Sequence, residues 1–408
     1  MELTLEGEDL DEFRAELREW IEESKPAGLS ELLDWGRMGM GDARQKEVRA
    51  AHASPIYKEW ESLLLGARLV CAQWPVEVGG RNFSAAQLVI FGEEFQRAKV
   101  PHIHRGMGEG LSGPSIIVHG TDEQKAYFLP RIIDGTDDYC QGFSEPDHGS
   151  DLAAVDTRGV VDGDEIVVSG RKVWTSGVTD HTNMMFALCR TDPSQPRHRG
   201  LSYVLIPFKN NGFDVRPIKQ MSGASNFCEE FIDGARAPLF NVIGGLGNGW
   251  RVAMTTLGNE RGGGVSLQRM NFDGEFWRLV DDARRLGKDK APIIRQRLAW
   301  AYEQIQVQRV NGKEMMAAIT SGRQPGRGAI GSKLRYSEYH KTFGEIAVDI
   351  LGPEALIRPE GDGYVVSPWQ ETFLHSRAGT IYAGTSQIQR NIISERALGM
   401  PKEPSAKS

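Results

Sequence analysis

The amino-acid sequence predicts an α+β fold in which a β domain separates two helical domains. Apolar residues recur at helical spacing up to about residue 131 and again after about residue 247. Between these stretches, from Tyr139 to Ile243, the apolar period is two, as in strands. A chain of 408 residues is too long for one simple core. We therefore expect domains at 1–136, 137–245 and 246–408.

Composition and charge argue against several classes of function. The net charge of −7 disfavours nucleic acid or an anionic membrane as the main partner. No apolar run approaches the ~20 residues that a membrane span needs, and the acidic start of the chain is unlike a leader peptide. The four cysteines are scattered without a CxxC pair, so neither a zinc site nor a disulfide framework is indicated. A reduced, cytoplasmic location is expected.

The first domain is predicted to be helical. An amphipathic face marks its first helix, with apolar residues at Phe13, Leu17, Trp20 and Ile21. Residues 28–43 show no clear period, which predicts a loop or an irregular helix, and the turn-rich link 74–81 precedes a helix over 85–97. Gly120 is expected to end a helix and Thr121 to cap the next one.

Two histidines in this domain are candidates for a metal pair. His102 and His104 would share one face of a strand if the chain were extended here. Nothing near them in the sequence completes a ligand set with recognised spacing. We therefore predict histidines of a loop or a pocket wall, and no metal site.

The middle segment carries the strand signals. Residues 160–168 form two apolar runs around Asp162-Gly163, which predicts a hairpin. Further strands are predicted at 184–189, 201–207 and 213–218. Helical spacing returns over 247–286 and long helices continue to the end, two of them separated by a Gly- and Pro-rich loop at 321–331.

Residues 379–400 combine a loop of small residues with a short helix. Ser386, three residues before Gln389, gives a capping-box pattern, and Gly399 before Pro401 predicts the helix end. Free N–H groups at such a helix start favour an anion, to which Arg390 could add a charge. A phosphate-bearing ligand is consistent with this pattern.

The same stretch, Tyr-x-Gly-Thr-Ser-x-Ile-Gln-Arg-Asn-Ile-Ile from Tyr382 onward, resembles the C-terminal signature of the acyl-CoA dehydrogenases. These are flavoenzymes that desaturate acyl-CoA thioesters. Similar segments occur at 119–125, 141–151 and 174–177, so the resemblance covers nearly the whole chain. It implies an N-terminal α-helical domain, a middle β domain and a C-terminal four-helix-bundle domain.

The resemblance implies FAD as the cofactor. A Ser-Glu-Pro turn alone is usually structural, but here it accompanies Trp-Thr-Ser-Gly, and the two segments are similar to the family's flavin-contacting loops. The implied contacts are Phe143, Ser144, Gly149, Ser150, Trp174, Ser176, Thr385, Ser386 and Gln387. In many relatives an arginine early in the C-terminal domain binds the FAD pyrophosphate, but segment 282–287 departs from that pattern. Arg284 and Arg295 are the candidates for this contact here. A cross-subunit contact there would require at least a dimer.

One position departs from the common signature. Most members have the Glu that removes the α-proton between the Tyr and the Gly-Thr, where this chain has Ala383. Glu260-Arg261 is similar to a minority arrangement in which the base lies on a helix and the loop position is small. The alternative is a surface carboxylate paired with an arginine. We predict Glu260 as the catalytic base.

The resemblance also implies the substrate contacts. These are Ser150, Arg261, Ala383 and Gly384, with the N–H of residue 383 donating to the thioester oxygen. The alternative for Arg261, an exposed helix arginine, is nearly as well supported. The triplet 262–264 costs about 0.8–1.0 kcal/mol per Gly relative to Ala in a helix. This cost indicates either a wide cavity for a bulky acyl group, or a helix break or close helix contact.

The predicted function is α,β-desaturation of an acyl-CoA to the trans-2-enoyl-CoA, with a branched, cyclic or otherwise bulky acyl group and electron-transfer flavoprotein as the acceptor. Two alternatives stay open: a flavin monooxygenase or oxidase on the same fold, and a subunit of a heteromeric dehydrogenase. We expect a homodimer or homotetramer, or a heteromer, and neither a nucleic-acid nor a membrane partner.

Overall fold

The computed structural model describes residues 9–32, 50–178, 181–320, 327–357 and 366–402, with the backbone alone at 260–271, 316, 319, 320 and 327. The chain divides into two compact units. The first contains residues 1–219 and 225–260, and the second contains residues 220–224 and 261–408. Among the described helices, none is long and apolar enough to cross a membrane.

The described helices of the first unit include α1 Leu10–Ser24, α2 Pro55–Gly66, α3 Ala85–Ala98, α4 Gly113–His119 and α5 Asp122–Ile133. The side chain of Asp9 caps α1, and the four apolar residues predicted to share its face are all buried. This face packs against α3, so the predicted amphipathic helix is confirmed. Of the stretch 28–43, the structure describes a 3-10 turn at Leu29–Glu31, and 33–43 lie outside the described residues.

The predicted helix boundary at Gly120 is also confirmed. Gly120 donates its N–H to the carbonyl of Ile116 at 2.8 Å and ends α4. Thr121 and Gln124 then form a reciprocal capping box at the start of α5. The turn at 74–81 contains the 3-10 helix Val76–Val78 and Gly79 at φ +97°, a left-handed conformation that favours glycine.

The strand expected at the histidine pair is not formed. Residues 101–105 are irregular between α3 and a π-helical turn at Gly108–Ser112. Proline 101 has no N–H to give to a ladder, and its carbonyl accepts the indole N–H of Trp60 at 2.8 Å. The indole of Trp60 therefore satisfies this carbonyl without a neighbouring strand.

An eight-stranded sheet follows in the same unit. Its strands are β1 Tyr139–Gly142, β2 Arg158–Asp162, β3 Glu165–Ser176, β4 Met184–Arg190, β5 Leu201–Pro207, β6 Phe213–Ile218, β7 Phe227–Pro238 and β8 Val242–Ile243. The order is β6-β7-β3-β2-β4-β5-β8, with β1 parallel to β4. The predicted strands and the hairpin are confirmed: Asp162 pairs with Glu165 across a turn in which Gly163 has φ +66°.

The second unit is helical. Helix α6, Gly249–Arg285, runs from the first unit into the second, and α7 Pro292–Thr320, α8 Arg327–Ile330, α9 Ser332–Leu351, α10 Pro368–Gly379 and α11 Ser386–Ile392 follow. Helix α9 packs against α7 and α10 around a core that includes Phe343 and Ile350. The loop expected at 321–331 contains the helical turn α8, and 321–326 lie outside the described residues. The predicted α+β class is confirmed.

Candidate active site

A buried ion pair anchors the predicted flavin loop that follows β1. Lys172 Nζ lies 2.8 Å from Glu145 Oε1, and the two side chains are 0% and 6% exposed. The ammonium also donates to the carbonyls of Leu188 at 2.8 Å and Phe143 at 3.3 Å. Because all of these partners are buried and fixed, the ion pair holds the loop against the middle of the sheet.

Glu145 is ionised in this setting. Its carboxylate accepts the backbone N–H of Asp156 at 2.6 Å and of Thr157 at 2.9 Å. Burial acts to raise the pKa of Glu145, but the charge of Lys172 and these donors outweigh burial and leave the pKa below its usual value. The loop therefore depends on a charged carboxylate inside the protein.

The predicted loop residues take different positions. The Phe143 ring is buried and packs edge-to-face on Phe186 and Tyr203, so its side chain belongs to the core. Ser144 is half-buried and accepts the N–H of Val173 at 3.0 Å, which ties the loop to β3. Its hydroxyl has no partner within the described chain. Gly149 and Ser150 lie exposed on the loop.

Trp174 lies at an irregularity of β3. The pairing of β3 with β7 shifts register between Val173 and Thr175, and Trp174 between them has φ +65°. This left-handed conformation is uncommon for a bulky residue. The indole is 58% exposed and touches Phe227 edge-to-face, so the bulge holds a large aromatic surface outward. Ser176, two residues on, is half-buried and its hydroxyl has no partner among the described residues.

A second buried carboxyl supports this bulge. The Thr175 hydroxyl donates to Glu230 Oε2 at 2.6 Å, and Glu230 is fully buried on β7. Its other oxygen has no hydrogen-bond partner within the described residues. Burial raises the pKa of Glu230 to about 7, because no cation compensates the charged form.

In the second unit, the start of α11 differs from the predicted capping box. Thr385 is the N-cap, and its side chain accepts the N–H of Ile388. Ser386 is the first helical residue, and its hydroxyl donates to Glu338 Oε1 at 2.6 Å. Gln389 turns back to the carbonyl of Ala383 at 3.1 Å. The expectation of Ser386 as the cap is wrong by one residue.

Some of the N–H groups at the start of α11, where an anion was expected, already donate hydrogen bonds within the chain. Ser386 donates its N–H to the carbonyl of Thr380 at 2.9 Å, and that of Ile388 is bound by the cap. Arg390 lies 3.7 Å from Glu338, which offsets part of its charge. Thr385 is half-buried and Gln387 is exposed, so these two retain accessible polar groups. The expected helix end is confirmed, with Gly399 at φ +69°.

A buried lysine fixes the loop that precedes α11. Lys333 on α9 donates to the carbonyls of Gly379 at 2.9 Å and Gly384 at 2.7 Å. Ala383 and Gly384 both have positive φ, +51° and +91°. The N–H of Ala383 makes no hydrogen bond within the described part of the chain. The loop thus presents a backbone donor whose position is fixed by its neighbours.

Helix α6 carries the predicted catalytic pair. The backbone is helical through Glu260 and Arg261, while their side chains lie outside the described residues. The helix also continues through 262–264, so the glycine triplet does not break it. Of the two arginines considered for the pyrophosphate, Arg284 pairs with Asp281 at 3.0 Å and Arg295 is exposed.

Comparisons with known proteins identify the family. Models of the N-terminal, middle and C-terminal domains of acyl-CoA dehydrogenases match residues 41–136, 140–233 and 247–398. The chain is 40% identical to acyl-CoA dehydrogenase IpdE1 of Mycobacterium tuberculosis, over 97% of this chain and 99% of the relative. The chain is a member of the acyl-CoA dehydrogenase family. The IpdE1 of Mycolicibacterium smegmatis is also 40% identical, with the same shares covered.

Solved acyl-CoA dehydrogenase structures resemble the chain over almost its whole length. A steroid acyl-CoA dehydrogenase, Tcur3481–Tcur3483, has a TM-score of 0.75 at 29% identity, covering 99% of this chain and 100% of that one. The ChsE4–ChsE5 complex from Mycobacterium tuberculosis has a TM-score of 0.73 at 26% identity, and the match covers 97% of this chain and 99% of that one. The predicted acyl-CoA dehydrogenase function is confirmed at the level of the family, which uses FAD.

Sequence reasoning missed three buried residues that support the acyl-CoA dehydrogenase motifs: Lys172, Glu230 and Lys333. Lysine or glutamate in the middle of an apolar strand is a detectable signal, since such residues are rarely buried without a partner. The partners themselves, Glu145 and the carbonyls of Gly379 and Gly384, are distant in sequence and required the structure.

Proposed function

We propose that the chain oxidises a bulky, polycyclic acyl-CoA with FAD as cofactor and with Glu260 on α6 as the base. The observation that carries this proposal is the pairing of Ala383, where the family's common base is absent, with a Glu-Arg pair on α6. A general base contributes roughly 10²–10⁴-fold to such a reaction. An active member that lacks the loop carboxylate therefore needs another one.

The residues of the two loops fit a flavin. The exposed indole of Trp174 offers an aromatic surface for a flat ring system, and Ser144 and Ser176 offer unpaired hydroxyls. Thr385 and Gln387 offer polar groups for the remainder of the cofactor, whereas the Ser386 hydroxyl is engaged by Glu338. FAD, when bound, supplies the acceptor for the β-hydride.

The chain's own residues would handle the proton and the carbonyl. We assign removal of the α-proton to the Glu260 carboxylate, which holds it as a carboxylic acid. The N–H of Ala383 is the donor to the thioester oxygen and stabilises the negative charge that develops there. We assign contacts with the acyl-CoA to Ser150 and Gly384, and orientation of the substrate or the base to Arg261.

The substrate class follows from the relatives and the glycine triplet. One similar structure is a steroid acyl-CoA dehydrogenase, and residues 262–264 put three glycines directly after the Glu260-Arg261 pair without breaking α6. Glycines beside the base leave room for fused rings. We further propose that the enzyme is cytoplasmic and consists of three domains, 1–136, 137–245 and 246–408. Its electron acceptor in this proposal is electron-transfer flavoprotein.

A heteromer is the favoured assembly over a homodimer or homotetramer. Two of the similar structures are named as pairs, ChsE4–ChsE5 and Tcur3481–Tcur3483. We propose that a partner chain completes the cofactor site of this one. The purified chain alone would then retain little FAD, and co-expression with its partner would restore it.

The deciding experiment is anaerobic addition of acyl-CoA thioesters to the purified holoprotein while the visible flavin band is followed. We expect bleaching by ring-bearing thioesters and little by straight-chain ones. Glu260→Gln should slow bleaching by roughly 10²–10⁴-fold, whereas Glu303→Gln, an exposed carboxylate on α7, should not. Bleaching by no thioester, together with rapid oxygen consumption, would instead support a flavin oxidase.

A further inference from the structure

A cluster of three side chains near the start of the π-helical turn contains none of the residues that we assign to the dehydrogenase reaction. Ligand atoms of His102, His104 and Glu109 all lie within 4.8 Å of one another. Among the described residues, no other group of three or more His, Cys, Asp or Glu side chains has ligand atoms this close together. All three belong to the first unit.

The distances suit one metal ion. His102 Nδ1 and His104 Nδ1 are 3.1 Å apart, and His104 Nδ1 lies 3.8 Å from Glu109 Oε2. A tetrahedral zinc ion with ligands at about 2.0–2.1 Å requires ligand atoms about 3.3 Å apart. His102 Nδ1 also lies 2.8 Å from His104 Nε2, so the two imidazoles contact each other directly and a bound ion would replace this contact.

The surroundings orient these ligands. Glu109 accepts the N–H of Arg105 at 2.9 Å on Oε2 and the amide of Gln73 at 3.1 Å on Oε1. The His102 ring packs edge-to-face on Phe91 with centroids 5.1 Å apart. Such outer hydrogen bonds and a fixed ring are typical of metal ligands. The cluster also lies at a π-turn, a feature frequent at functional sites.

We propose that His102, His104 and Glu109 bind a divalent first-row metal ion of the zinc class. Two histidines and a glutamate leave at least one coordination position open. That position faces solvent, since the His104 side chain is 57% exposed while Glu109 is buried. This proposal departs from the expectation from sequence that nothing completes a ligand set, because Glu109 on the π-helical turn lies beside the two histidines.

The test is zinc binding to full-length protein prepared without a polyhistidine tag and stripped with a chelator. Competition with a chromophoric zinc indicator should show one equivalent per chain, with binding weakened at least tenfold in His104→Ala. His198→Ala, which removes an exposed histidine outside the cluster, is the matched control and should bind as wild type. Binding should weaken as the pH falls and protons compete for the imidazoles.

Cobalt gives an independent measurement that involves no dehydrogenase step. Co²⁺ in a four- or five-coordinate nitrogen and oxygen site has intense visible bands, which should appear with wild type and with His198→Ala but not with His104→Ala. Equal zinc affinity in wild type and His104→Ala would overturn the proposal. So would the absence of any metal bound by wild type beyond that bound by His104→Ala.

Discussion

Lys172 Nζ lies 2.8 Å from Glu145 Oε1, and neither side chain is more than 6% exposed. Lys172 belongs to β3, two residues before Trp174, and Glu145 directly follows Ser144 on the loop after β1. One ion pair therefore joins the two segments that we assign to the flavin. Removing either partner leaves an uncompensated charge inside the protein.

Lys172→Met should lower the free energy of unfolding by about 3–5 kcal/mol, because Glu145 stays buried and charged without its partner. The double change Lys172→Met/Glu145→Gln should cost less, since it removes both charges. Urea titrations monitored by circular dichroism measure the unfolding free energies of the single and the double variant. Arg171→Met, the loss of a more exposed arginine paired with Glu229 on the same strand, is the control and should cost about 1 kcal/mol or less. A double variant as unstable as the single one would contradict this account.

Glu230 should make stability fall as the pH rises. Burial raises its pKa in the folded protein to about 7, above the ~4.3 of an unfolded glutamate. The folded state thus holds a proton that the unfolded state releases. This contribution is complete below pH ~4 and is lost as the pH rises through 7.

The test is Glu230→Gln, which fixes the neutral form. Its unfolding free energy relative to wild type should increase between pH 5 and pH 8, by an amount on the order of 2–3 kcal/mol. Asp233→Asn, which neutralises an exposed carboxylate on the same strand, should show no such trend. If the difference between Glu230→Gln and wild type stays constant over this range, Glu230 does not titrate there.

Trp174→Ala should weaken flavin binding more than it weakens the fold. The indole is already 58% exposed, so its loss removes little buried area. An aromatic pair is worth about 0.5–1.5 kcal/mol, which predicts a roughly 2- to 13-fold higher dissociation constant for FAD. Fluorescence titration of the apoprotein measures this constant. Trp277→Ala, an exposed tryptophan on α6, should leave it unchanged.

Lys333→Met should loosen the loop before α11. Lys333 donates to the carbonyls of Gly379 and Gly384, and hydrogen bonds from a charged donor are worth about 1.5–3 kcal/mol each. Hydrogen exchange at residues 379–386 should accelerate by at least tenfold, and the dehydrogenase rate should fall with it. Lys341→Met on the same helix is the control. Unchanged exchange in Lys333→Met would show that the loop is held by other contacts.

Much of the fold could be predicted because its signals are local. The face of α1, the capping box of Thr121 and the hairpin at Gly163 each depend on residues close in sequence. The cap of α11 was misplaced by one residue since Thr385 and Ser386 are both good caps, and Glu338, far along the chain, binds the second.

The site was predictable only through the resemblance. Periodicity and turn chemistry place Trp174 on a strand but do not indicate the bulge that turns it outward. The partners of Lys172 and Lys333, and the approach of Glu109 to two histidines, depend on tertiary contacts that no spacing in the sequence encodes. Polar groups that are buried in pairs are hard to assign from one sequence for this reason.

Moving the carboxylate from α6 to the loop tests the assignment of the base most directly. Glu260→Gln should reduce the rate of anaerobic flavin bleaching by roughly 10²–10⁴-fold. If residues 260 and 383 face the same carbon, Glu260→Gln/Ala383→Glu should recover at least tenfold of this loss. Residue 383 already has φ +51° with a side chain in place, so exchanging Ala for Glu adds no new class of backbone strain.

The matched control is Glu260→Gln/Ala383→Gln, which has nearly the same shape at 383 without a base and should recover nothing. The recovered activity should also depend on pH as a carboxylate does, falling as that group is protonated. Equal rates for the Glu and Gln versions at 383 would show that the loop does not reach the α-carbon. A wild-type rate for Glu260→Gln alone would remove Glu260 as the base.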